Sequence, residues 1–334
     1  MASFRSLAIV LATFLIASVI TDRAFVTMFP SLHRLTTNFS SAYLQREIVT
    51  MSAEPPGIVF SGDSVLWGYR LPVGVTTAGI MRERGYPIRN LAFEGGSPAN
   101  TYAVLRLLVN AGIRPRLFVF NVNQKEFNPA DSAYNTLHPA LQESVQPIMS
   151  ESDLALLSRK PVAQTVDARI DRAVSATFAL YGMRADLRET LFGDVDAIHA
   201  LDRLVKSISG AAAKEESEHV PTRDKFEGTY ALDKLDKDNV SMHFLAETIA
   251  LLQANHQPAL AILTPTNHRL LHEYIDVPQY AANLSSTSRM LEAGGIRVLD
   301  CDRRFRASEF LDNDHLTAAG NRKLAALIEP NIPR

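Results

Sequence analysis

The chain has 334 residues, 46% of them hydrophobic and 21% charged, with a formal net charge of -2; this is enough apolar material for one substantial core and excludes a disordered chain. With no basic block and no aromatic-interleaved basic patch, the near-neutral charge argues against a nucleic-acid partner. The one cysteine, Cys301, excludes an intrachain disulfide framework and a multi-cysteine zinc site, and reads as a small buried hydrophobe at a strand end.

From the N-terminus, residues 1–28 contain the charge-free run 6–21, SLAIVLATFLIASVIT, preceded by Arg5, which reads as an export signal or a membrane anchor. Sixteen helical residues rise roughly 24 Å, short of a bilayer core of about 30 Å, which favours a cleaved signal. Against cleavage, Asp22, Arg23 and bulky residues stand where a small-x-small site belongs, and Arg5 and Arg23 extend the span by snorkelling. The leading expectation is an uncleaved N-terminal helix holding an extracytoplasmic protein to the membrane, with a secreted or periplasmic product of cleavage as the alternative. Residues 29–56 read as a membrane-proximal stalk ending at Pro55-Pro56.

From residue 57 to about 330, strand-like and helix-like segments alternate, the mark of a parallel sheet wrapped by helices. The run Ile58, Val59, Phe60, bounded by glycines, predicts a buried strand at 57–61. Further strands are expected near 88–92, 116–121, 259–263 and 296–300, and helices near 74–84, 98–111, 240–255, 279–293 and 317–328. The expected fold is α/β, a three-layer sandwich on a five-stranded parallel sheet. The gap from 121 to 259 exceeds any crossover, so a helical insertion is expected at about 130–240. Within it, SESDLALLSR and ARIDRAVSATFALYGMRADLRETLF carry helical spacing, and the Lys, Glu and Asp of 213–238 read as a solvated loop.

Ligands bind open α/β sheets beyond the carboxyl ends of their strands. Four loops at that edge carry chemistry: Ser64 in SGDSVLWG, Gly95-Gly96 in NLAFEGGSPANTY, Asn121 and Asn123 in FNVNQKEF, and Asp312 and His315 in FLDNDHLTAAG. Taken singly, each is an ordinary turn or cap residue. Together they are the parts of acyl transfer. Serine needs an adjacent base, histidine titrates in the right range, and a carboxylate three residues before it orients the ring. The backbone N–H groups of Ser64 and Gly95 and the side chain of Asn123 offer three donors to an oxyanion.

The four stretches resemble, in order, the four blocks of the SGNH, or GDSL, hydrolases, over roughly residues 57–125 and 258–329 and most closely in the first and last blocks. The resemblance implies a flavodoxin-like sheet and ester hydrolysis or acyl transfer through a serine acyl-enzyme, without a cofactor. It assigns Ser64 as nucleophile, Gly95 and Asn123 as oxyanion donors, and Asp312 and His315 as the rest of a triad. The third block departs from the family's Gly-x-Asn-Asp, reading Asn121-Val122-Asn123-Gln124, so Asn121 is a rival donor; Asp314 is likewise a rival to Asp312. The N-terminal apolar run and the helical insertion, with ILTPTNHRLLHEYIDVPQY, resemble membrane-anchored SGNH proteins of cell-envelope polymer acylation, such as the teichoic acid D-alanine transfer protein.

Trp67 and Tyr69 are candidates for the floor of a substrate site, with core packing the alternative. His268 and His272, four apart, raise a metal question, but no third ligand follows at a recognisable spacing, and no metal is expected; His268 is instead a candidate to line the substrate cleft. The expected function is an extracytoplasmic serine esterase or O-acyltransferase acting on acyl esters, foremost acetyl, of a cell-envelope glycan, with a membrane acyl-donor protein as partner if transfer is the task. Rival readings are a lipid-directed esterase or thioesterase and an inactive binding or assembly factor of the same fold.

Overall fold

The computed structural model describes residues 2–28, 39–157 apart from 55, 70 and 131, and 226–333 apart from 237. The chain divides into two compact units, Met1–Asn38 with Ala163–Val220, and Phe39–Val162 with Pro221–Arg334. Of the first unit only helix α1, Ala2–Met28, is described. Among the described residues no helix is long and apolar enough to cross a membrane, so the anchor expected from residues 6–21 stands as a proposal.

The second unit begins earlier than the sequence suggested. Residues 41–53, expected to form a stalk, make helix α2 (Ser41–Ala53), capped by the Ser40 hydroxyl, which accepts from the Tyr43 amide. Leu44 and Met51 are fully buried, Phe39 packs on Trp67 and Phe93, and the Tyr43 hydroxyl donates to the Asn90 carbonyl at 2.6 Å. Its apolar residues recur at helical spacing within a polar stretch, and only the neighbouring core shows that this face is used.

Five parallel strands follow: β1 (Ile58–Ser61), β2 (Ile88–Asn90), β3 (Leu117–Val122), β4 (Ala259–Leu263) and β5 (Arg297–Asp300), in the order β2-β1-β3-β4-β5. All six residues of β3 are buried, as a central strand covered on both faces requires. Its register sets Phe118 beside Val59 on one side and Ala259 on the other. The connecting helices are α4 (Thr77–Glu83), α5 (Pro98–Asn110), α8 (Val240–Ala254), α10 (Pro278–Ala293) and α11 (Ala318–Ile328), with the one-turn α3 (Ser64–Trp67), α6 (Pro139–Val145), α7 (Glu151–Leu156) and α9 (His268–Ile275) between them. Helices α5 and α8 pack together, as do α4 and α11; right-handed crossovers put these pairs on opposite faces of the sheet. The fold is the expected three-layer α/β sandwich. Strand order reverses beside β1, so the ends of β1 and β3 form the crevice where such sheets place ligands.

Of the expected insertion, SESDLALLSR yields α7, while ARIDRAVSATFALYGMRADLRETLF lies outside the described residues. The end of the charged stretch is not simply a solvated loop: Phe226, Tyr230 and Ala231 are buried, and Phe226 and Tyr230 share a small core with Leu271, Ile275 and Tyr280. Cys301 is buried and free, and burial pushes its thiol up to about 12.

Candidate active site

Strand β1 ends in a turn that only glycine tolerates. Gly62 has φ +135, and a Cβ there would lie 1.9 Å from the Asn121 side-chain oxygen. Asp63 then caps α3, its Oδ1 accepting from the Val65 amide at 2.8 Å. Ser64 thus stands as the first residue of a single turn that Gly68 closes in the left-handed conformation. The Gly95-Gly96 turn after β2 lies directly against it. A Cβ on Gly96 would come 2.1 Å from the Gly62 carbonyl oxygen, so this is a close approach of two backbones. Gly95 is exposed, with φ +75. Among the described residues, the Ser64 and Gly95 amides make no hydrogen bond to protein.

The last block brings a histidine to Ser64. An antiparallel bridge between Phe310 and Leu316 closes a loop over 311–315, and Leu311 N–H donates to the His315 carbonyl at 2.7 Å. Inside it, Asp312 Oδ1 accepts from the amides of Asp314 (3.1 Å) and His315 (2.9 Å), while Oδ2 lies 2.6 Å from His315 Nδ1. His315 Nε2 is 2.8 Å from Ser64 Oγ. Serine, imidazole and carboxylate therefore form one continuous hydrogen-bonded line. The arrangement is a serine–histidine–aspartate triad in geometry. Asp312, rather than Asp314, is the carboxylate on Nδ1; the nearer oxygen of Asp314 is 3.6 Å away.

No protein-family model and no curated protein matches the chain. Among solved structures, the chain is similar to a protein described as lipolytic and of the G-D-S-L family from Desulfitobacterium hafniense DCB-2, at 9% identity and TM-score 0.39, covering 82% of this chain and 97% of that one. It is also similar to a GDSL-like lipase from Bacteroides thetaiotaomicron VPI-5482, at 13% identity and TM-score 0.39, covering 87% and 97%.

Electrostatics poise this triad. Burial pushes the His315 imidazole down, but the Asp314 charge and then the Asp312 hydrogen bond and charge carry it above its ordinary value, with Lys125 opposing. Burial raises the Asp312 carboxyl, and the His315 contact with the two backbone amides more than reverses that, leaving it below its usual range. The Tyr69 ring stacks on the imidazole, centroids 4.0 Å apart, which fixes the ring plane.

The asparagines of the third block do other work than expected. Asn123 is fully buried and its amide nitrogen donates to Asp63 Oδ2 (2.9 Å) and Asp314 Oδ2 (2.6 Å). Both its N–H donors are engaged, so neither is offered to an oxyanion. Asn121, the rival, donates to Asp63 Oδ1 (2.8 Å) and Thr264 Oγ1 (2.9 Å) and accepts from the Asp63 amide (3.0 Å). The reason is that two buried carboxylates are stronger acceptors than any neutral group nearby and must be satisfied first.

Trp67 is buried against Phe39 and Tyr43 and is a core residue, not a substrate floor. His268 sits in a clasp, Nδ1 on Asp276 (2.9 Å) and Nε2 on Asp302 (2.8 Å), so it presents no ring nitrogen to a cleft. His272 is half exposed beside Glu273. Donor atoms of Asp312, Asp314 and His315 lie within 4.8 Å of one another, but both imidazole nitrogens are engaged by Ser64 and Asp312, and Asp314 Oδ2 by Lys125 and Asn123. This donor set suits proton handling rather than a metal.

Sequence reasoning missed Asn267, Lys125 and Tyr230. Asn267 caps α9 and ties down the aspartate loop, its amide donating to the Asn313 carbonyl (2.8 Å) and its side chain to the Asp312 carbonyl (2.9 Å). An asparagine just before a helix is a legible cap signal; that it also grips a loop distant in sequence is not. Tyr230 accepts from the Asn313 side chain at 3.3 Å, a contact that no local pattern announces.

Proposed function

We propose that the protein is an extracytoplasmic serine esterase or O-acyltransferase that acts on acyl esters, foremost acetyl, of a cell-envelope glycan. The observation that carries the chemistry is the unbroken Ser64–His315–Asp312 line. With the neutral ring's proton on Nδ1 and held by Asp312, Nε2 accepts the Ser64 proton as Oγ attacks the ester carbonyl. The oxyanion is received by the free amides of Ser64 and Gly95. Collapse expels the alcohol, which takes the proton from Nε2, and leaves an acyl-serine. Water resolves it in hydrolysis and a sugar hydroxyl in transfer: the incoming hydroxyl gives its proton to Nε2, the acyl–Oγ bond breaks, and Ser64 Oγ takes that proton back.

The charge-free residues 6–21 support the extracytoplasmic, membrane-held part of the reading, and a membrane acyl-donor protein is the partner if transfer is the task. Leu311, exposed beside the triad, favours a second reading, a lipid-directed esterase or thioesterase. The test is fluorophosphonate labelling and p-nitrophenyl ester turnover by the full chain and its Ser64→Ala variant. Labelling and acetate turnover that vanish in the variant support the first reading, a rate rising with acyl length supports the second, and the absence of both in the parent chain refutes an esterase.

A further inference from the structure

Behind the triad lies a layer of buried charge that the mechanism above does not use. Asp314 is fully buried. Its Oδ2 is ion-paired to Lys125 and accepts from Asn123, while Oδ1 has no hydrogen-bond partner and faces His315 Nδ1 at 3.6 Å. An unsatisfied buried carboxylate oxygen is costly and calls for a reason. This one is aimed at the nitrogen whose ring becomes positive when Ser64 is deprotonated.

We propose that Asp314, fixed by Lys125 and Asn123, is a second carboxylate for His315: a positioning residue that stabilises the imidazolium and makes the triad a five-membered unit with Lys125 as its counter-charge. The proposal rests on the reading of Ser64 as nucleophile. Around the imidazole stand Asp312 and Asp314 from its own loop, the Ser64 hydroxyl, the Tyr69 ring and, beyond Asp314, Lys125. Asp63 joins through Asn123, and Tyr134 and Tyr230 act on Lys125. Among these, the Asp314 charge is the largest single influence raising the His315 pKa, followed by the Asp312 hydrogen bond and the Asp312 charge, and Lys125 opposes them. Burial works against the Lys125 charge, yet Asp314 and then Asp63 lift it well above its ordinary value, so the lysine stays charged. Asp312 meets Nδ1 head-on and sets the tautomer; Asp314 contributes field without competing for that proton.

The experiment is the titration of His315 in the full chain, read by NMR on histidine labelled at Cε1 and assigned with His315→Gln, beside kcat/KM for p-nitrophenyl acetate against pH. Asp314→Asn should lower the His315 pKa by about one pH unit and kcat/KM by about 10- to 100-fold; Lys125→Met should move the pKa upward. A purely structural role would cost activity without opposite shifts. An Asp314→Asn protein that titrates and turns over like the parent, or two variants that shift the same way, would overturn the proposal. Since Asp314→Asn strands the lysine charge, the doubly neutral Asp314→Asn/Lys125→Met variant decides if the single one does not fold: its pKa should fall, because Asp314 lies between the ring and Lys125, and an unchanged or raised value counts against the proposal. If the parent hydrolyses no ester, the reading of Ser64 fails by itself, while the titrations still report whether Asp314 and Lys125 govern the ring.

Discussion

Two of the described histidines, His315 and His268, are held by aspartates, and they are built for opposite ends. His315 has one nitrogen on Asp312 and the other on the Ser64 hydroxyl. His268 has a carboxylate on each nitrogen, with Arg303 and the Tyr280 hydroxyl completing the cluster around Asp276 and Asp302. A ring with acceptors on both sides is best satisfied as the cation, donating twice, and so holds a structure together. A ring with an acceptor on one side and a hydroxyl on the other keeps a lone pair for the hydroxyl's proton. The partner of the second nitrogen, more than burial or the presence of an aspartate, separates base from clasp.

The largest effect expected from this contrast is on turnover. Ser64→Ala or His315→Gln should reduce kcat by at least about 1000-fold, whereas His268→Gln should stay within about threefold in kcat and instead lower the melting temperature, the loss of a paired, mostly buried cation costing about 1–3 kcal/mol. Steady-state kinetics with thermal melts on the same preparations would separate the two; a large kcat loss in the His268 variant breaks the distinction.

Next comes the backbone contact that seats Ser64. Gly96→Ala places a methyl group against the Gly62 carbonyl and should push the Ser64 turn off line, lowering the fluorophosphonate labelling rate by about 10- to 100-fold. An alanine variant that labels at the parent rate would show that the two turns have room to move.

Smaller effects appear in pH dependence. The His268 pKa is raised because its two carboxylate hydrogen bonds and the Asp302 charge outweigh burial, which is the largest single influence and lowers it. Its contribution to stability is therefore fully present below about pH 6.5 and fades as pH rises through the folded value. The melting difference between parent and His268→Gln should accordingly shrink on going alkaline. His138 has the opposite sign. Packed against Phe39 and Phe93, it is pushed down to about 4 by burial. Folding then loses up to about 3 kcal/mol as pH falls from about 6.5 towards 4, a loss that His138→Gln should reduce in acid unfolding curves.

The glycine-bounded run Ile58–Phe60 and the alternation after it made the sheet legible, since buried parallel strands need continuous apolar runs. The spacing of Asp312 and His315 made their contact legible, because three residues suffice for a carboxylate to reach back to the ring. Asn123 misled: its place at a strand end suits an oxyanion donor, and nothing local reveals the two carboxylates that take its hydrogens. Trp67 and helix α2 misled for the same reason, as the surface each packs on comes from elsewhere in the chain.

The sequence by itself determined the strands and the order of the chemical groups, for those depend on local periodicity and on residues within a few positions of one another. Only the tertiary structure decided which of two aspartates holds the imidazole, which histidine is a clasp, and that Lys125 and Asp314 form a buried pair behind the triad. Each of these depends on which donor reaches which acceptor once the ends of β1, β3 and β4 and the 311–315 loop are brought together, and hydrogen-bond partners across such distances in sequence leave no periodic trace.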